Sequence, residues 1–421
     1  MKLRTACLAI AIASSLSTPA ADPPSPWPEV TRECRPWAYN WWMGSAVDRE
    51  NLARELRRYR DGGLGGIHIV PIYGAKGAEA RYIDYLSPQW MDMLAFTIDE
   101  AAKLDLGVDM TSGSGGCFGG PTITKALAGQ KAVVTNGAIV AAAASPKVKR
   151  AAPGGEGFML NPFHAEAMKT FLAWFTAPFE KPGAPRPRAM YHDSYEYFGG
   201  NWSADVPAAF EKRRGYRLED ELEAFAGRGD TDRVERVRCD YREPLSDLLI
   251  GPVFAQWTDW CRARGVLTRN EAHGAPVNLL DFYAIADIPE TEMFGRGERD
   301  PLKSQFDERF REGDREPLIS KFASSAAHTA GRRLASAETS TWMAEHFCET
   351  FEEWKCFADI LFASGVNHVF YHGCIYSPDD AAWPGWLFYA SSQMNPRNPL
   401  WREAAALDRK STRLNSSHVS Q

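Results

Sequence analysis

One local pattern recurs about eight times along the chain: a short apolar run ending in polar or acidic residues, followed by a stretch with helical spacing. The runs are Pro36–Trp42, Gly66–Ile72, Gly107–Thr111, Arg188–Asp193, Val266–Glu271, Asp287–Glu292, Arg333–Glu338 and Val366–His372. Strands that alternate with helices build βαβ units, and βαβ units build a parallel sheet. About eight of them in sequence favour a closed (β/α)8 TIM-type barrel, an α/β fold, over an open sheet. Such barrels run past about 250 residues as one unit, so 421 residues is compatible with this reading.

The helical stretches carry their own punctuation. Asp48 suits an N-cap for a helix running to about Arg60, with Gly62-Gly63 as its stop. Ser87-Pro88 starts the next, with proline at the first helical position and Trp90, Leu94, Ile98, Ala101 and Leu104 on one face. Leu248 to Arg264 and Phe351 to Ala363 read the same way. The segment from about 130 to 160 is small, apolar and rich in Pro and Gly, with a strand-like Ala132-Val133-Val134. It reads as an insertion between the third and fourth barrel strands.

The ends have a different logic. Lys2 and Arg4 precede an apolar run, Ala6 to Leu16, and then Thr18-Pro19-Ala20. A positive start, a run too short to span a bilayer and small residues at its end describe a secretory signal peptide over residues 1–20. A linker over 21–35 and a barrel over 36–408 follow, and the expected location is periplasmic or secreted. Residues 409–421, beginning Arg409-Lys410-Ser411-Thr412, lack periodicity and resemble a translated cloning adapter. The net charge of −6 carries no basic stripe, which argues against a nucleic-acid partner. No later segment has the apolar length of a membrane span. Cys7 would leave with the signal, and the remaining seven cysteines form no CxxC pair, which argues against a zinc site. Their pairing is not readable from spacing.

In a (β/α)8 barrel the active site lies at the carboxyl ends of the strands. Here four successive strand ends are acidic: Asp193 and Glu196, Glu271, Glu290 and Glu292, and Glu338. Charges gathered in one place without compensation are costly, so their convergence points to chemistry. Glycoside hydrolysis uses two carboxyls, one to protonate the leaving oxygen and one as nucleophile or to activate water. The first strand adds Trp37, Tyr39, Trp41 and Trp42, flat faces suited to sugar stacking. Candidate substrate contacts are Trp41, Trp42, His68, Asp193, Asn270, His273 and His372. The histidines read equally well as hydrogen-bonded core residues. Gly113-Ser114-Gly115-Gly116 does not have GxGxxG spacing, so a dinucleotide loop is disfavoured.

These residues carry a resemblance. Trp41-Trp42-Met43-Gly44, Gly66 through Gly74, Asp84 through Pro88 and Cys117-Phe118-Gly119-Gly120-Pro121 resemble segments of glycoside hydrolase family 106, the α-L-rhamnosidases. Asp193-Ser194-Tyr195-Glu196, Asn201-Trp202, Glu271-Ala272-His273-Gly274, Asp287 through Glu292, Ser336 through Thr339 and Gly365 through Gly373 continue the match in order. The resemblance implies release of terminal α-L-rhamnosyl groups with inversion, aided by Ca²⁺. It implies Glu196 as general acid, Glu338 as general base, and Glu292 and Glu271 as calcium or sugar ligands. The partner it implies is a rhamnosylated oligo- or polysaccharide. Family members are longer and carry β-rich domains after the barrel, so the chain is expected to be a fragment. A relative acting on another deoxysugar or a uronic acid, and a sugar-binding barrel without catalysis, are the alternatives.

Overall fold

The structure, a computed structural model, describes residues 30–144, 147–295 and 318–391. The expected signal peptide and adapter-like tail lie outside the described residues. In chain order the strands are β1 (Trp37–Met43), β2 (Gly66–Ile72), β3 (Gly107–Thr111), β4 (Gly119–Gly120), β5 (Gln130–Thr135), β6 (Ala138–Ala143), β7 (Phe158–Met159), β8 (Ala189–His192), β9 (Leu267–Glu271), β10 (Ile288–Phe294), β11 (Ser336–Thr341) and β12 (His368–Ile375). Eight of them close a barrel in the order β1-β12-β11-β10-β9-β8-β3-β2. Every pairing in it is parallel, so all eight carboxyl ends share one rim. The expected (β/α)8 barrel is the observed one.

Helices cover the outside for the reasons their sequences give. The Asp48 side chain accepts the Asn51 amide at 2.8 Å, and Gly63, at φ +95°, ends the helix Arg49–Gly62. Its Leu52, Leu56 and Tyr59 are buried against the barrel, each worth about 1.5–3 kcal/mol of transfer energy. Ser87 caps Pro88–Lys103 in the same way. One expectation changes. Where a single helix from Leu248 to Arg264 was expected, Thr231–Leu248 runs into a π-helical segment, Leu249–Phe254, and then Ala255–Ala263. Pro252 lies inside that segment and has no N–H to give the regular ladder. Among the described residues no helix is long and apolar enough to cross a membrane.

Between β3 and β8 the chain leaves the barrel. β5 and β6 form a hairpin turned by Asn136-Gly137, both at positive φ, the geometry of a tight two-residue turn. β4 and β7 pair antiparallel, and the loop of residues 147–157 between hairpin and β7 reaches to the rim. Ser114, in the glycine-rich segment after β3, accepts the Ala152 amide at 2.8 Å, so that segment braces the loop.

Inside the barrel, strand parity decides what each side chain meets. On β1, Trp37, Tyr39, Trp41 and Met43 face inward, whereas Ala38 and Trp42 join the helix-side core. On β9, Arg269 and Glu271 face inward, and Asn270 turns out to accept at its Oδ1 opposite His192 Nδ1 and to donate to the Phe282 carbonyl. The lower interior is polar as well as aromatic. Fully buried Arg269 pairs with Glu290, contacts His68 and lies 3.6 Å over the Phe370 ring. Asp109 receives two hydrogen bonds from Arg188, at 2.9 and 2.7 Å.

Candidate active site

The carboxyl ends of the strands enclose a cavity of ≈570 Å³. Its acidic lining comes from the strand ends: Asp193 and Glu196 after β8, Glu292 on β10 and Glu338 on β11. Strand register sets two of these side by side, because Glu292 and Glu338 are direct partners across β10 and β11. Trp41, His273 and His372 complete the expected part of the lining. Glu271 lies just inside, its Oε2 accepting the Tyr191 hydroxyl at 2.7 Å.

Three expected substrate contacts are placed elsewhere. Trp42 has the wrong parity, and it packs 5.8 Å from the Trp90 ring in the helix layer with its indole N–H on Asn40. Asn270 faces outward for the same reason. His68 has the inward parity but sits too deep, stacked 4.5 Å from Tyr39 and bonded to Thr111 at 2.8 Å. None of the three lines the cavity. The sequence reading in turn missed Lys149 and Arg150 from the insertion, and Thr341, Trp342 and Tyr389 at the rim. Ser340 and Trp342 adopt left-handed backbone, at φ +59° and +45°. Such strain persists where the surroundings enforce it and is common at functional sites.

The carboxyls crowd one another. Oxygen atoms of Asp193, Glu271 and Glu338 lie within 4.8 Å of one another, and so do ligand atoms of Glu271, His273 and Glu292. Burial, followed by the charge of Glu338, raises Asp193 from 3.8 to about 7. Burial raises Glu338 from 4.5 to about 7, against hydrogen bonds from Thr341 and Tyr39. Burial and neighbouring carboxylates push Glu271 and Glu292 well above the usual carboxylate range. Burial, helped by Arg150, lowers His372 to about 3, so its ring is neutral 3.6 Å from Glu338. Thr341 donates to Glu338 Oε1 at 2.6 Å.

A cation would relieve this crowding. Glu271 Oε1 is buried with no hydrogen-bond partner, and Glu271 and Glu292 offer the hard oxygen donors that Ca²⁺ takes. The His273 nitrogen is the less calcium-like member of that group. The donor set therefore fits a hard divalent ion.

The cavity thus combines paired carboxyls near neutral pKa and a polar rim, which suits acid–base work on a hydroxylated substrate, while Trp41, only 1% exposed, is packed between Tyr39 and Phe388 and offers no free ring face. The family model for α-L-rhamnosidase matches residues 28–169 and 144–410. The chain belongs to glycoside hydrolase family 106. A solved rhamnosidase from Novosphingobium sp. PP1Y superposes with a TM-score of 0.70 at 15% identity, over 92% of this chain and 60% of that one. A β-galactosidase from Marinomonas ef1 superposes at 0.54 with 12% identity, over 92% and 60%. At those identities the likeness is one of fold. A Formosa agariphila protein named "Putative beta-glucuronidase" is 30% identical over 220 residues, 51% of this chain and 17% of that protein. This family 106 chain therefore spans 60% of the solved rhamnosidase, and its match to the Formosa protein covers less than a fifth of the latter.

Proposed function

We propose that this chain holds the catalytic barrel of a glycoside hydrolase that releases terminal α-L-rhamnosyl groups from plant or microbial glycans with inversion. The observation that carries the reading is the meeting of Glu196 and Glu338 in one cavity at the strand ends. Glu338 serves as base: a carboxyl raised to about 7 is both partly ionised and a strong base near neutral pH. Thr341, donating to its Oε1 at 2.6 Å, fixes its orientation. Glu196 serves as acid, since its side chain, 19% exposed against 5% for Glu338, stands nearer the solvent through which a leaving group departs. Lys149 and Arg150 hold that side chain from the insertion side. Inversion needs room for a water between the two carboxyls, about 6.5–9.5 Å.

Glu271 and Glu292, with His273 beside them, would hold Ca²⁺, which when bound would neutralise the crowded carboxylates and accept sugar hydroxyls. Phe294 and Trp342 supply apolar surface suited to a deoxysugar methyl. The N-terminal run Ala6 to Leu16 supports export to the periplasm or beyond.

Lys149 and Arg150 also favour a second reading, recognition of a uronic acid carboxylate, and the name of the Formosa protein points the same way. Against it, both cations already face Glu196. The test is nitrophenol release from p-nitrophenyl α-L-rhamnopyranoside and p-nitrophenyl β-D-glucuronide. Turnover of the rhamnoside, lowered about 10²–10⁴-fold by Glu338→Gln, is expected, and Glu196→Gln should cost as much on methyl α-L-rhamnopyranoside, whose leaving oxygen needs the proton. Turnover of the glucuronide alone would replace the first reading with the second. Sugar binding without any turnover by a folded chain would leave a binding barrel.

A further inference from the structure

The loop of residues 147–157 is closed on itself near its ends and fastened to the rim in between. The Val148 amide bonds the Gly157 carbonyl at 2.9 Å, and the Arg150 carbonyl accepts the Tyr73 amide at 3.1 Å. The Tyr85 amide reaches the Pro153 carbonyl at 2.7 Å. Gly115 lets this loop lie flat on the segment after β3, because a Cβ there would meet the Lys149 carbonyl oxygen at 2.2 Å. Within the fastened loop Arg150 takes a left-handed backbone, φ +60°, which an L side chain rarely adopts and which glycine adopts freely.

That strained backbone aims a guanidinium into the cavity. Arg150 is 14% exposed, 3.4 Å from Glu196 Oε2 and 3.8 Å from Asp193 Oδ2, with its Cζ 6.0 Å from the Phe388 ring centre. Its neighbour Lys149, 44% exposed, takes the other oxygen, Glu196 Oε1, at 2.7 Å. Two consecutive residues of the insertion thus hold the two oxygens of one carboxyl from outside the barrel.

We propose that Arg150 is a positioning residue for the reaction: through its contacts with Glu196 and Asp193 it sets the direction of the Glu196 carboxyl, which makes the insertion part of the active site. The inference rests on the role given to Glu196 above. An ångström of misplacement in a reacting group costs on the order of 100-fold in rate, so the effect falls on kcat rather than on KM.

The test uses the full chain and Arg150→Gly, a change that suits the local backbone and removes the guanidinium. With the methyl glycoside of whichever sugar the parent cleaves, whose alkoxide leaving group needs the acid's proton, kcat is expected to fall about 100-fold with little change in KM. Low-millimolar guanidinium, but not equimolar sodium chloride, should restore part of it. Parent-like kcat, or a loss that guanidinium leaves untouched, would overturn the proposal. If the glycine variant does not fold, Arg150→Lys decides, since an ammonium cannot span both carboxyls: reduced kcat at constant KM supports the role, and unchanged kcat refutes it. Should the parent cleave neither glycoside, the proposed function fails on its own. A thermal-unfolding double-mutant cycle of Arg150→Gly and Glu196→Gln then judges the contact, and additive effects would refute it.

Discussion

Tyr39 and Tyr191 meet hydroxyl to hydroxyl at 2.9 Å in the middle of the barrel, and through them two buried glutamates are joined. Tyr39 lies 3.2 Å from Glu290, and Tyr191 donates to Glu271 at 2.7 Å. Burial pushes both phenols well above their usual range, so they keep their protons and remain donors. The polar floor and the acidic mouth are therefore one hydrogen-bonded structure.

Tyr191→Phe removes the donor to Glu271, whose other oxygen already lacks a partner. The expected cost is about 1–3 kcal/mol, read as a lower urea midpoint at unchanged slope. An unaltered midpoint would mean that Glu271 finds another donor.

Arg269→Met leaves Glu290 facing an apolar side chain in a fully buried setting. Breaking one side of a buried pair costs about 3–5 kcal/mol, and the added change Glu290→Gln should recover part of it. Chemical denaturation of the single and double variants checks this. Recovery is the diagnostic result, since simple loss of packing would give additive costs.

The crowded carboxyls also set a pH dependence. Asp193 and Glu338 bind protons up to about pH 7 when folded but only to about their ordinary values, 3.8 and 4.5, when unfolded. Between those limits these two groups hold fewer protons in the unfolded chain, so their contribution to stability is full below about pH 4 and is lost as pH rises toward 7. Urea midpoints across that window should fall, and the slope should shrink in Asp193→Asn/Glu338→Gln. A midpoint that climbs with pH there would contradict the burial assigned to these groups.

Much of this arrangement was legible in the sequence. Strand and helix punctuation gave the barrel, because parallel strands buried on both faces read as short apolar runs. Reading the last residues of each run placed Asp193, Glu196, Glu292, Glu338, His273 and His372 around one cavity. Parity was the usable signal left unread: counting in twos from Glu271 turns Arg269 inward and Asn270 outward, and the same count separates Trp41 from Trp42. Depth along the strand, which takes His68 out of the cavity, depends on barrel register and is not local. Arg150 could not be found that way at all. It arrives from an insertion more than 40 residues before Glu196 in the chain, and only tertiary contact reveals it.

Calcium gives a fourth test. If Glu271 and Glu292 hold the ion, Ca²⁺ at about 100 times its Kd should stabilise the folded chain by about 2.7 kcal/mol, and EDTA should reverse the shift. Glu292→Gln should lose most of that gain in differential scanning calorimetry. Equal stabilisation of parent and variant would place any calcium elsewhere.

The most direct measurement of the central claim is proton NMR of the sugar first released from p-nitrophenyl α-L-rhamnopyranoside by the full chain. The account predicts that β-L-rhamnose appears first and mutarotates to the equilibrium mixture, and that Glu338→Gln slows its release about 10²–10⁴-fold. First appearance of the α anomer, or release undiminished in Glu338→Gln, would contradict it.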